Sequence, residues 1–167
     1  MYSKIEVMEV YFMIKGKAFE QQFRKDWINT VENSFIYRLN DQVSGFKGTS
    51  KNLCDFICFK SPRLYIIDCK SHAGNSIPLS AVSQLDMMQL YSGTKDVVLG
   101  TVVWFYDHKD LVVWIPIETW LKLKDEGKKS FNIKMIDEYE CCIIPSKLKR
   151  TFCDSDYSYL IKYYEEK

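Results

Sequence analysis

Asp55, Asp68 and Lys70 are the residues of this chain whose types and spacing could do chemistry. An aspartate is followed, after twelve intervening residues, by Asp68-Cys69-Lys70. The stretch reads DFICFKSPRLYIIDCK, two apolar runs joined at Ser61-Pro62. Residues two apart in a strand share a face, so Asp68 and Lys70 project together. A tight connection folds the first run back beside the second and brings Asp55 toward that pair. Two carboxylates and an ammonium converging at one point suit a divalent metal, a water and a phosphate.

Those are the requirements of phosphodiester hydrolysis. Mg2+ is a hard cation that takes oxygen ligands, keeps several waters and needs only one or two carboxylates. Bound there, it would serve as Lewis acid, template and water activator. Asp55 and Asp68 offer the carboxylate oxygens, and the backbone carbonyl of Cys69 lies between the two converging side chains. Lys70 would hold the attacking water or balance charge on the phosphate. The Cys69 thiol is expected on the opposite side of the strand. Asp68 and Lys70 follow the apolar LYII, where a charged pair is expected only if it ends the strand at a site. Ser, His and Asp form no recognisable nucleophile motif, which disfavours covalent catalysis.

The elements that must position these groups follow from periodicity. Between Ile14 and Val31, apolar residues recur at Phe19, Phe23 and Trp27, with Ile28 and Val31 beside them, which predicts one buried helix face. FIYRL (Phe35 to Leu39) reads as a short strand and Asn40 to Asn52 as a loop. The two runs around Ser61-Pro62 read as strands, Leu53 to Phe59 and Leu64 to Lys70, with a polar turn from Ser71 to Ser76. Ala81 to Leu90, after Pro78 and Ser80, predicts an amphipathic helix. Val97 to Tyr106 is apolar throughout, as expected of a strand buried on both faces. Asp107 to Asp110 turns it into LVVWIPI. A short helix over Glu118 to Lys124, a strand at Glu140 to Ile144 and a closing helix from Asp156 to Lys167 complete the chain. The order predicts an α/β or α+β sandwich around one sheet, in a single domain.

Composition narrows the setting. The 167 residues are 47% apolar and 15% aromatic, with seven Gly and four Pro, which leaves no room for a long linker. No run of ~18 uncharged apolar residues occurs, so no membrane span is expected, and the N-terminus lacks the pattern of a secretory leader. Six cysteines without a C-x-x-C pair read as free thiols in a reducing cytoplasm. Cys69 and His72 have a loose ligand spacing, but no second pair completes a zinc set. The net charge of +1, from 23 basic and 22 acidic residues, gives no global attraction to nucleic acid. Any such surface must be local, with candidate clusters at Lys47 to Lys51, Lys128-Lys129 and Lys147 to Arg150. His108 falls in a turn and reads as structural.

The segment resembles the PD-(D/E)xK nuclease superfamily, with Asp55 and Asp68-Cys69-Lys70 at its motif positions. More narrowly, residues 14 to 120 look like RecU-type Holliday junction resolvases and their phage relatives. The landmarks are Gly16-Lys17, Phe19-Glu20, Gly48-Thr49-Ser50, Ser71-His72, Ile77-Pro78 and Gln84. The resemblance implies a restriction-endonuclease-like mixed sheet flanked by helices. It implies a homodimer in a bacterial or phage-infected cytoplasm that nicks branched DNA in recombination or repair, using Mg2+ with Mn2+ as substitute. It makes Glu20 a further acidic residue of the metal site, beside Asp55, Asp68 and the Cys69 carbonyl. It also makes Gln84 the glutamine that positions the nucleophile or Lys70. From the residues alone, Glu20 is a helix-surface carboxylate and Gln84 a solvated amide. DNA contacts are expected from groups flanking the motif, namely Lys17, Arg38, Thr49, Ser50, Lys51 and Ser71, with His72 on a phosphate or simply exposed. Two features depart from the family: Asp68 stands where glutamate is usual, and the interval Asn40 to Asn52 is short for the junction-entering stalk. Another nuclease of the superfamily, exonuclease or restriction-like, and a non-catalytic DNA-binding domain of the same fold are the alternatives.

Overall fold

A computed structural model describes residues 4–39 and 52–167, with side chains from residue 16 onward in the first helix. That helix, α1 (Lys4–Thr30), starts earlier than the apolar periodicity alone predicts. Phe19, Phe23 and Trp27 are all buried, as their spacing requires. The Trp27 indole donates to the Ser34 hydroxyl at 3.1 Å, fixing the turn into β1 (Phe35–Arg38).

The hairpin β2 (Phe56–Lys60) and β3 (Arg63–His72) follows, then β4 (Ser76–Pro78), α2 (Leu85–Gln89) and β5 (Val97–Phe105). β6 (Val112–Pro116), α3 (Ile117–Asp125), β7 (Ser130–Asn132) and β8 (Cys142–Ile144) come next. A hairpin of β9 (Ser146–Leu148) and β10 (Cys153–Ser155) leads to α4 (Ser158–Glu165). The main sheet has the order β1-β2-β3-β5-β6-β8, and only β3 and β5 run parallel. That parallel pair needs a crossover longer than a turn, which residues 73–96, with α2, supply. The result is a mixed α+β fold with a mainly antiparallel sheet flanked by helices.

Strand alternation sorts the core into two layers. Tyr65, Ile67 and Cys69 of β3 face α1 and α4, with Phe23, Trp27, Trp114, Tyr157 and Leu160. Ile66 of β3 faces the other way, with Leu99, Val103, Met88, Trp120 and Phe131, under α2 and α3. By the same alternation Asp68 and Lys70 belong to the α2/α3 face. α1 is also anchored by a buried acid, since the Asp26 carboxylate accepts the Ser155 N–H at 2.9 Å and the Gln22 amide at 2.7 Å. Burial, against those two hydrogen bonds, pushes its pKa up to about 6.

Three expectations need correction. β3 runs on to His72, so Asp68 and Lys70 lie inside the strand and not at its end, and only residues 73–75 separate it from β4. The predicted helix over Ala81 to Leu90 is a 3-10 turn (Leu79–Ala81), a break at Val82 and the five-residue α2. Val82 has φ −94° and ψ 73°, which no helix accommodates. β2 begins at Phe56 and not Leu53, for a reason described below. The interval Asn40 to Asn52 falls, but for Asn52, outside the described residues.

Gly100, in the middle of β5, leaves no room for a side chain. A Cβ there would lie 2.5 Å from the Ile115 carbonyl oxygen and 2.8 Å from the Trp114 ring. Gly100→Ala should therefore cost about 2 kcal/mol or more through overpacking, read as a lower urea midpoint. An unchanged midpoint would mean that β5 and β6 can part without cost.

Candidate active site

Asp55 sits one residue before β2 and is aimed by a local offset. Phe56 pairs with Ile67 in the regular register. The Asp55 N–H also reaches the Ile67 carbonyl, at 3.2 Å. Two residues of this strand thus face one of β3, the kind of one-residue offset that re-aims a side chain. The Asp55 carboxylate then turns along the edge of β3, and its Oδ2 accepts the Cys69 N–H at 2.7 Å. A regular β2 would have met that N–H with a backbone carbonyl, which is why the strand starts late. In a strand the N–H and C=O of one residue point to the same edge, so the Cys69 carbonyl is directed to the side where Asp55 lies.

Asp68 is fully buried. Neither of its carboxylate oxygens has a hydrogen-bond partner among the described residues. The Lys70 ammonium lies 2.8 Å from Oδ2, an ion pair at hydrogen-bonding distance that lacks good hydrogen-bond alignment. Burial pushes the Asp68 carboxyl up to about 7, with Lys70 opposing the shift and the neighbouring Asp55 reinforcing it. Burial also works to lower the Lys70 pKa, but Asp68 and, behind it, Asp55 outweigh burial and hold it above its ordinary value. A buried carboxylate that faces one ammonium and a second carboxylate is costly to keep ionised, and a cation bound there would offset that cost. A hard cation is the partner that carboxylates of this type accept. Asp55, Asp68 and the Cys69 carbonyl fit such an ion by donor chemistry. No group of three or more His, Cys, Asp or Glu side chains able to hold a metal forms among the described residues.

Other expected members stand apart from this trio. The Glu20 carboxylate is engaged by the Arg38 guanidinium. Arg38 pairs with Phe56 in register, so both belong to the α1 face, one sheet face away from Asp68. Glu20 also contributes to the field that, after burial and the two aspartates, raises the Cys69 thiol, which lies in the α1 core as expected. Gln84 stands at the N-terminal edge of α2 instead of lying within a helix; its side chain makes no hydrogen bond to the helix backbone, and its Oε1 accepts the Ser83 hydroxyl at 2.9 Å. No hydrogen bond joins it to Asp68 or Lys70 among the described residues. Lys17 is exposed on α1, and Ser71 and His72 are half-buried at the end of β3, opposite Trp104 and Phe105. Thr49, Ser50 and Lys51 lie outside the described residues. His108 has its structural role: its Nε2 meets Asn75 Oδ1 at 2.5 Å, and the Gly74 N–H donates to Asp107 at 2.8 Å. Together they tie the turn after β3 to the one after β5.

Thr101 is a neighbour that motif reading passed over. It is the β5 partner of Asp68, fully buried, and its hydroxyl oxygen accepts the Trp120 indole N–H at 3.0 Å. The signal was a lone hydroxyl inside the apolar run VVLGTVVWF.

All six cysteines are free, and burial raises the Cys54 thiol to about 12 and the Cys153 thiol to about 11. Thiols so protonated behave as small apolar groups. No helix among the described residues is long and apolar enough to cross a membrane. No protein-family model matches this chain, and no curated protein matches it in sequence.

Proposed function

We propose that this protein is a Mg2+-dependent deoxyribonuclease with a restriction-endonuclease-like core, acting on branched DNA as a RecU-like homodimer. The observation that carries the reading is the fully buried Asp68 carboxylate, paired to Lys70 at 2.8 Å and set beside the re-aimed Asp55. Folding alone has no use for such a group, and its charge raises the cost of burial. Mg2+, or Mn2+ in its place, would be held by Asp55, Asp68 and the Cys69 carbonyl, and when bound supplies Lewis acidity and an acidic water. Lys70, whose side chain is 23% exposed, balances charge at the scissile phosphate and positions the attacking water. Asp55 keeps the Cys69 peptide in register, so one side chain serves both ligation and alignment. His72, two residues beyond Lys70 on β3, would supply phosphate contacts beside the site, and Ser71 and Lys17 would do so only from the other side of the sheet; such contacts orient the substrate without reading sequence.

The Glu20 to Arg38 pair favours a second reading, a DNA-binding domain of the same fold that does not cut, because it leaves the trio without a third acidic side chain. Incubating the protein with four-way junctions, linear duplex and single strands, in Mg2+ or EDTA, separates the readings. Metal-dependent paired nicks near the junction centre are the expected result. Progressive shortening of linear DNA would instead mark an exonuclease, and an absence of metal-dependent cleavage on every substrate would sink the enzyme.

A further inference from the structure

We infer that the aromatic edge strand β1 is a stacking platform for unpaired nucleotides of the nucleic acid that the candidate site cuts. The inference rests on the nuclease reading and deepens it by naming the form of the substrate. Phe35 and Tyr37 on β1 and Phe59 on β2 are 54%, 53% and 43% exposed. An edge strand is ordinarily guarded by charge or proline, so a row of open rings there calls for a ligand.

The pleat puts these rings on the face that carries the candidate site. Phe35 pairs with Phe59, and Phe59 with Leu64; Tyr37 pairs with Ile57, and Ile57 with Ile66. Leu64, Ile66, Asp68 and Lys70 alternate along β3 onto that same face. At strand spacing, Tyr37 lies about 12 Å and Phe35 about 17 Å from Asp68, a reach of a few nucleotides. The two rings are parallel to within 4°, with centroids 6.5 Å apart. That is close to twice the 3.4 Å step of stacked bases, a spacing suited to successive bases of an extended strand. Stacking on aromatic rings is tolerant of sequence because every base has a π face. Bases inside a duplex already have both faces covered, so the platform suits nucleotides out of the helix.

Area favours this occupant over a second copy of the chain. Lys60 and Arg63, at the hairpin tip, alternate onto the opposite face, where the Lys60 ammonium donates to the Glu32 carbonyl at 2.6 Å, so they bring no charge to the platform. Three half-exposed rings offer about 300 Å2, well short of the about 800 Å2 per partner of a stable interface.

The test measures binding of a short labelled oligothymidylate and of a matched duplex, in EDTA, by fluorescence anisotropy. The double variant Phe35→Leu with Tyr37→Leu keeps apolar bulk but removes the π faces. It should weaken single-strand affinity about tenfold or more, with duplex affinity changed less than about twofold. The double variant Phe35→Trp with Tyr37→Trp should retain or tighten single-strand binding. The platform is overturned if the leucine pair binds single strands like the wild type, or if the wild type binds none. It is also overturned if sedimentation shows that the leucine pair alters self-association instead. Cleavage in Mg2+, measured in parallel on the wild type, judges the nuclease reading by itself. Loss of single-strand binding in the leucine pair with an uncleaving wild type leaves the platform standing and that reading failed. Intact cleavage with unchanged binding fails the platform alone.

Discussion

Replacing Asp68 by asparagine should abolish metal-dependent cleavage and at the same time make the metal-free protein more stable above neutral pH. The loss of activity follows from removing the buried ligand. Several kcal/mol of charge stabilisation, at about 1.4 kcal/mol per factor of ten, amount to a rate loss on the order of a thousandfold. The gain in stability follows from proton linkage. The carboxyl is raised from 3.8 to about 7 on folding, chiefly by burial. Between those values the folded chain keeps a proton that the unfolded chain has lost, so stability falls as pH rises, and the penalty is complete above about 7. Asparagine does not ionise and escapes that fall. Against this, Lys70 loses its anion, which leaves a net gain of about 2 kcal/mol at pH 8. Urea unfolding in EDTA at pH 5 and pH 8 checks it: the variant's advantage should be clearly wider at pH 8. An equal difference at both pH values would mean that Asp68 titrates like an ordinary carboxyl.

Much of the frame was legible because burial leaves a periodic trace. Phe19, Phe23 and Trp27 marked the buried face of α1, and the unbroken run from Val97 marked the central strand covered on both sides. The charges of the trio stood out because Asp68 and Lys70 interrupt an apolar strand. What periodicity does not encode is registration between strands. The offset that turns Asp55 toward the Cys69 N–H depends on how β2 meets β3, and no local feature of the first strand announces it. The length of β3 was underestimated for the same reason. Ser71 and His72 read as turn residues, but pairing with Trp104 and Phe105 of β5 keeps them extended. The helix expected after Pro78 failed where Val82 leaves helical angles, leaving Gln84 at the edge of α2 and not inside a helix. The partner of Glu20 was hidden because Arg38 is eighteen residues away and reaches it only once β1 lies beside α1. Phe35 and Tyr37 read as ordinary strand residues, since alternation tells which face a residue takes but not whether anything covers it.

Replacing Lys70 by methionine separates its action on the substrate from its action on Asp68. The variant keeps the length of the apolar stem, so DNA affinity in EDTA should stay within about twofold while cleavage falls on the order of a hundredfold or more, the scale of a lost proton-transfer or positioning group. A second effect comes through Asp68. Lys70 is the strongest influence holding its carboxyl down against burial; without the ammonium that carboxyl rises further and stays protonated through neutral pH. A protonated carboxyl does not ligate a hard cation. Stabilisation by Mg2+, read as the shift in thermal midpoint on adding the ion, should therefore be smaller than in the wild type at pH 7. By pH 9 the carboxylate ionises and no neighbouring ammonium competes with the metal, so the shift should equal or exceed that of the wild type. A crossing of the two pH curves is the signature of a lysine that acts on its buried neighbour as well as on phosphate. Parallel curves would confine Lys70 to the substrate, and cleavage surviving in the variant would remove it from the mechanism.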